Sequence, residues 1–112
     1  PVVLSGQQVL TPEGKPFRGR GNAGAPLMLI GDSFTGVFEL IDCKSAGIGS
    51  HITQKTGLAT DIITSWGGGP LVRNKMLRAR KEKMGPKRLV IYRMVMRDLH
   101  DYSQSWQDLA VE

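Results

Sequence analysis

The stretch Pro26-Leu-Met-Leu-Ile-Gly-Asp-Ser-Phe-Thr-Gly36 constrains the fold more than any other part of the chain. Four apolar residues, Leu27 to Ile30, run without interruption into Gly31, Asp32 and Ser33. A short continuous apolar run closed by a turn signal predicts a strand buried on both faces, as in a parallel sheet. Pro26 marks its start, because proline is tolerated at the first residue of a strand. Ser33 then falls just past the strand's C-terminal end, the edge on which open α/β sheets bind ligands. It is the candidate nucleophile, flanked by Asp32 and the aromatic Phe34.

The rest of the chain predicts further strands of the same sheet. Ile62-Ile63-Thr64 lies in a second β-prone run over 58–65 and leads at once into Trp66-Gly67-Gly68-Gly69-Pro70. Glycines at a strand end let the backbone approach a ligand closely, and Pro70 suits a first helical turn. A helix is predicted over 71–84, with Val72, Met76, Leu77, Ala79 and Met84 inward, Gly85 at its C-terminal boundary and Pro86 beyond it. Arg88 to Met96 reads as a third strand with Leu89-Val90-Ile91 as its buried stretch, followed by Arg97-Asp98-Leu99-His100-Asp101. A short helix over 51–56 is predicted between the first two strands, capped by Ser50 and stopped by Gly57, with His51 in its first turn and not catalytic. Val2 to Leu10 suggests a small hairpin, and Tyr102 to Glu112 a helical tail packing Trp106 and Leu109. This strand–helix–strand alternation predicts one α/β domain over 1–112 with a short, mostly parallel sheet.

Composition narrows the classes. With 40% apolar residues the chain can pack a core. No apolar run approaches the roughly 18 residues a membrane span needs. The single cysteine, Cys43, excludes an internal disulfide and reads as a small buried apolar residue. The net charge of +5 is local: eight of the 15 basic residues lie between 71 and 88, opposed there by Glu82 alone. No aromatic or glycine-rich nucleic-acid motif accompanies these cations, so they read as the solvated side of a helix and no nucleic-acid partner is expected. Gly19-Arg-Gly-Asn-Ala-Gly24 spells a G-x-G-x-x-G pattern, but a loop precedes it and a strand follows, the reverse of the dinucleotide-binding order. It reads as a flexible loop. No cofactor or metal-ligand set is expected.

Placing the strand ends side by side brings Ser33, the Gly67–Gly68 run, Arg97, Asp98 and His100 to one edge. A serine nucleophile needs a base and donors for the developing oxyanion. Backbone N–H groups after Ser33 and at Gly67 and Gly68 are candidate donors. His100 is the candidate base, with Asp98 or Asp101 to orient it, and Arg97 can bind a carboxylate. Gly31-Asp-Ser-Phe-Thr-Gly36 is G-x-S-x-x-G, which differs from the G-x-S-x-G elbow of α/β-hydrolases.

Gly31-Asp32-Ser33-Phe34, Lys87-Arg-Leu-Val-Ile-Tyr92 and Arg97-Asp98-Leu99 together resemble the SGNH-hydrolase-like domain of the alginate O-acetyltransferases and related polysaccharide acetylation proteins. In that family a "GDSF" strand end, an "LVIW" strand and an "E-R-D/Y-L" segment recur in this order. The resemblance covers Leu27 to Leu99. It implies a flavodoxin-like three-layer α/β/α fold and acetyl transfer to or from exopolysaccharide hydroxyls through an acyl-serine, in the periplasm or cell envelope. By position, Ser33 matches the nucleophile and Arg97 the arginine after the third strand; Asp32 and Phe34 accompany the serine. Met96 stands where the family often has glutamate. The family's Asp-x-His pair lies upstream of the serine, whereas residues 1–32 contain no histidine. The expectation is a domain truncated at its N-terminus, or completed by a second copy or another chain. The leading functional reading is serine-dependent acyl transfer or ester hydrolysis on a carbohydrate. A non-catalytic carbohydrate-binding or assembly module and an anion- or nucleotide-binding flavodoxin-like domain using the glycine run and the basic helix are the alternatives.

Overall fold

A computed structural model of the chain describes residues 3, 5–17, 20–21, 23–66, 69–80, 84 and 86–100. The strands are β1 (Arg20–Gly21), β2 (Leu27–Gly31), β3 (Thr60–Thr64) and β4 (Leu89–Arg93). They form a sheet in the order β1-β3-β2-β4, and every pair is parallel. Leu27 of β2 is in register with Thr60 on one side and Leu89 on the other, and Gly31 with Thr64 and Arg93. Parallel strands need crossovers, and helices supply them. Helix α1 (Ser33–Gly36) continues as a π-helical turn over Val37–Ile41, α2 (Ile48–Thr56) leads to β3, and α3 (Gly69–Arg80) leads to β4. A 3₁₀ turn, Met96–Leu99, follows β4.

The apolar run of β2 is buried along its whole length because both faces are covered. On one face Met28, Ile30 and Ile63 pack with Val72 and Met76 of α3, and Met84 and Tyr92 rest against this cluster. On the other, Gly49 of α2 sits close against Leu29 and Ile62; a Cβ there would lie 2.9 Å from Ile62 Cγ1. Thr53 Oγ1 donates to Thr60 Oγ1 across the same interface. The fold is thus an α/β fold built on a small parallel sheet.

Several expectations need correction. Leu89 and Val90 are 52% and 42% exposed, because among the described residues β4 pairs on one side only. Arg20 and Gly21, inside the G-x-G-x-x-G pattern, form an edge strand against Thr60 and Asp61 and not a loop; Gly19 and Asn22 lie outside the described residues. Helix α2 starts at Ile48 with Gly47 as its N-cap, since Ser50 is occupied elsewhere: its Oγ and N–H both donate to the buried Glu39 carboxylate. Gly57 ends α2 in the left-handed region at φ +70°, as a C-terminal glycine should. Cys43 is exposed, not buried, at the head of three residues with positive φ, Cys43 to Ser45. That loop is held by Gln8, whose Nε2 donates to the Cys43 and Lys44 carbonyls.

Near the N-terminus, Leu10 bridges Pro16 across a turn in which Gly14 takes φ +78°. Residues 5–9 have no strand structure, and Val2 and Leu4 of the expected hairpin, with Pro1 before it, lie outside the described residues. So do the tail from Asp101 onward, residues 81–83 of the expected helix and Gly85; α3 is described to Arg80, and Met84, the expected last residue of that helix, has no helical structure. Among the described residues no helix is long and apolar enough to cross a membrane.

Candidate active site

The turn after β2 is fixed from both sides of Ser33. Asp32 leaves the strand in an extended conformation and is the N-cap of α1. Its Oδ1 accepts the Phe34 N–H at 3.0 Å, and its carbonyl accepts the Thr35 N–H at 3.0 Å. These two bonds satisfy donors that a helix start otherwise leaves unpaired. The two glycines of G-x-S-x-x-G have steric causes. A Cβ on Gly31 would lie 2.7 Å from Thr35 Cβ, and one on Gly36 would lie 3.1 Å from Thr64 Oγ1. Thr35 therefore folds under the end of its own strand, and Ser33 sits half-buried above it as the first residue of α1.

The neighbouring strands close in on this turn. The Ser65 N–H donates to the Gly31 carbonyl at 2.9 Å, fixing the end of β3 beside β2. Arg93, the last residue of β4, donates from Nη1 to Thr35 Oγ1 at 3.1 Å and lies 3.9 Å from Asp32 Oδ1. Phe34 and Trp66, each following a strand end, are both exposed.

Other expected residues are distributed as follows. Arg97 is exposed in the 3₁₀ turn and Asp98 is half-buried there, with its N–H donating to the Val95 carbonyl at 3.0 Å. His100 is exposed at the end of that turn, with its N–H on the Arg97 carbonyl. Neither the Ser33 nor the His100 side chain enters a hydrogen bond among the described residues. Gly67 and Gly68 lie outside the described residues. His51 Nε2 is 3.0 Å from the Gln7 carbonyl, which ties the N-terminal segment to α2 and suits a structural histidine. Among the described residues no cluster of histidine, cysteine and carboxylate side chains could hold a metal ion.

Two charged features escape sequence reading. The first is Arg93, which reaches Thr35 and Asp32 in the turn that carries Ser33. The second lies at the opposite, N-terminal edge of the sheet, where Asp61 is wholly buried. Arg80 grips it with Nε and Nη2 at 2.7 and 2.9 Å, and Lys87 Nζ lies 3.1 Å away with its side chain only 2% exposed. Lys87 also donates to the carbonyls of Ala23 and Ala25, both at 2.8 Å. The hydrogen bond to Asp61 raises the Arg80 pKa above arginine's ordinary value; the attraction of the carboxylate adds to this and burial opposes it. Two of the eight clustered cations are therefore internal struts and not solvated surface. An acid inside a β-prone run was the available signal for such a partner.

Comparison of the chain with protein-family models, with curated proteins and with solved structures finds no match.

Proposed function

We propose that the chain is a serine-dependent acyl transferase or esterase of the SGNH-like, flavodoxin-like kind, acting on acyl groups carried by a carbohydrate. One observation carries the reading: Ser33 opens a helix at the C-terminal end of the central buried strand, in a turn held by Asp32, Thr35 and Arg93. The strand order supports it. β3 and β4 lie on opposite sides of β2, so the chain's crossovers diverge there, and such switch points are where α/β sheets bind ligands.

In this reading Ser33 Oγ attacks the acyl carbonyl while its proton passes to a base. His100, exposed at the end of the 3₁₀ turn after β4, is the base, with Asp98 to orient it. The ester's C–O bond breaks, the leaving hydroxyl takes the proton, and an acyl-serine remains. Water or an acceptor hydroxyl then releases the acyl group by the reverse proton path. In this reading a backbone N–H at the start of α1 that Asp32 does not already occupy serves the oxyanion, worth about 2.7–4 kcal/mol of transition-state stabilisation. The partner is an acetylated polysaccharide, and the setting is the periplasm or cell envelope.

Hydrolysis of p-nitrophenyl acetate by the wild-type chain and by Ser33→Ala tests this. A loss of at least about 100-fold in kcat is expected. Equal rates would leave the second reading, a non-catalytic carbohydrate-binding module, which the exposed Phe34 and Trp66 on the same edge favour.

A further inference from the structure

The geometry points to Arg93 as a positioning residue for Ser33, one that ties the end of an edge strand to the nucleophile turn. The inference rests on the acyl-serine reading above, and it starts from register. Arg93 stands opposite Gly31 in the β2–β4 ladder. Gly31 has no side chain, and the space where its Cβ would be is taken by Thr35. The Arg93 side chain therefore reaches across the end of β2 and meets Thr35 Oγ1 at 3.1 Å. Thr35 is buried, so its hydroxyl needs an internal partner, and Arg93 Nη1 donates to it.

The same Nη1 lies 3.9 Å from Asp32 Oδ1, the oxygen that accepts the Phe34 N–H. That separation is too long for a hydrogen bond but close enough for charge attraction. Ser33 is bonded directly to Asp32 and lies two residues before Thr35. One guanidinium thus contacts the residue before the serine and the threonine one half-turn after it. Its planar fork can address both oxygens from one position, which a lysine ammonium does less well. The Arg93 side chain is 42% exposed. Its role is therefore to orient the turn and not to hold the core together.

A turn displaced by about 1 Å costs on the order of 100-fold in rate when the reacting atoms are misaligned. Arg93→Ala should accordingly lower kcat for p-nitrophenyl acetate by about 10- to 100-fold while KM changes less than about threefold. Arg93→Lys should recover part of that loss. Thr35→Val should reproduce part of it, and Arg93→Ala with Thr35→Val should be no slower than Arg93→Ala alone, since both remove the same contact. Thermal melts of all variants check that folding is intact.

A second readout does not depend on turnover. Amide hydrogen exchange at Phe34 and Thr35 should quicken by about tenfold in Arg93→Ala, while exchange at Gly57, remote from the contact, stays unchanged. Equal rates for wild type and Ser33→Ala, with quickened exchange in Arg93→Ala, would defeat the acyl-serine reading and leave the clamp standing. Unchanged exchange would overturn the clamp. So would a rise in KM at constant kcat, which would make Arg93 a substrate contact.

Discussion

Replacing Asp61 by asparagine removes the one carboxylate that, among the described residues, pairs with both Arg80 and Lys87. The two cations respond differently. Arg80 has a side chain 23% exposed and can turn toward water. Lys87, at 2%, cannot, and keeps only the Ala23 and Ala25 carbonyls. Leaving a buried charge without its partner costs about 3–5 kcal/mol. The expected loss is about 3–4 kcal/mol, a large share of the roughly 6–17 kcal/mol available to a domain of this size. At about 4 °C per kcal/mol the melting temperature should fall by about 12–16 °C.

Urea melts followed by circular dichroism measure the loss directly. Lys87→Met keeps the Asp61–Arg80 pair and should cost only about 1–2 kcal/mol. The double variant Asp61→Asn with Lys87→Met should be more stable than Asp61→Asn alone. A loss below about 1 kcal/mol in Asp61→Asn would refute the argument. In the wild type, the raised Arg80 pKa means that its contribution is fully present below arginine's ordinary value and is lost only as pH rises through the folded value. The Arg80–Asp61 bond therefore adds no pH dependence near neutrality.

Three further outcomes follow from the same contacts. Gly31→Ala drives a Cβ into the buried Thr35 and should cost about 1–3 kcal/mol in a urea melt, with a fall in esterase rate at temperatures where the variant is still folded. Gly57→Ala forces a left-handed alanine at the end of α2 and should cost about 1 kcal/mol by thermal melt; no neighbouring atom obstructs it, so the cost is conformational. His100→Ala should lower p-nitrophenyl acetate hydrolysis by about 100-fold or more if it acts as base, and a rate within threefold of wild type would assign that role to another group.

The central strand and its serine were legible because burial on both faces leaves a continuous apolar run, and the end of that run is marked by Gly31 and Asp32. β4 was equally legible as a strand, but its exposure was not. Leu89 and Val90 have the same composition whether or not a neighbour covers them, and that depends on pairing. Arg93 and Arg97 both follow apolar residues; only the register of β4 against Gly31 decides which of them reaches Thr35. Asp61 meets Arg80 and Lys87 from far along the chain, so no local pattern announces the contact. The helix over 51–56 was placed three residues short because Ser50, a good cap by type, bonds a buried glutamate instead.

The account stands most directly on covalent capture of the acyl group. The chain is mixed with p-nitrophenyl acetate, quenched in acid, digested and mapped by mass spectrometry. One acetyl group on Ser33 is expected, absent from Ser33→Ala and absent from Ser45, Ser50 and Ser65. An unmodified Ser33 under conditions where ester is being consumed, or acetyl carried by another residue, would contradict it.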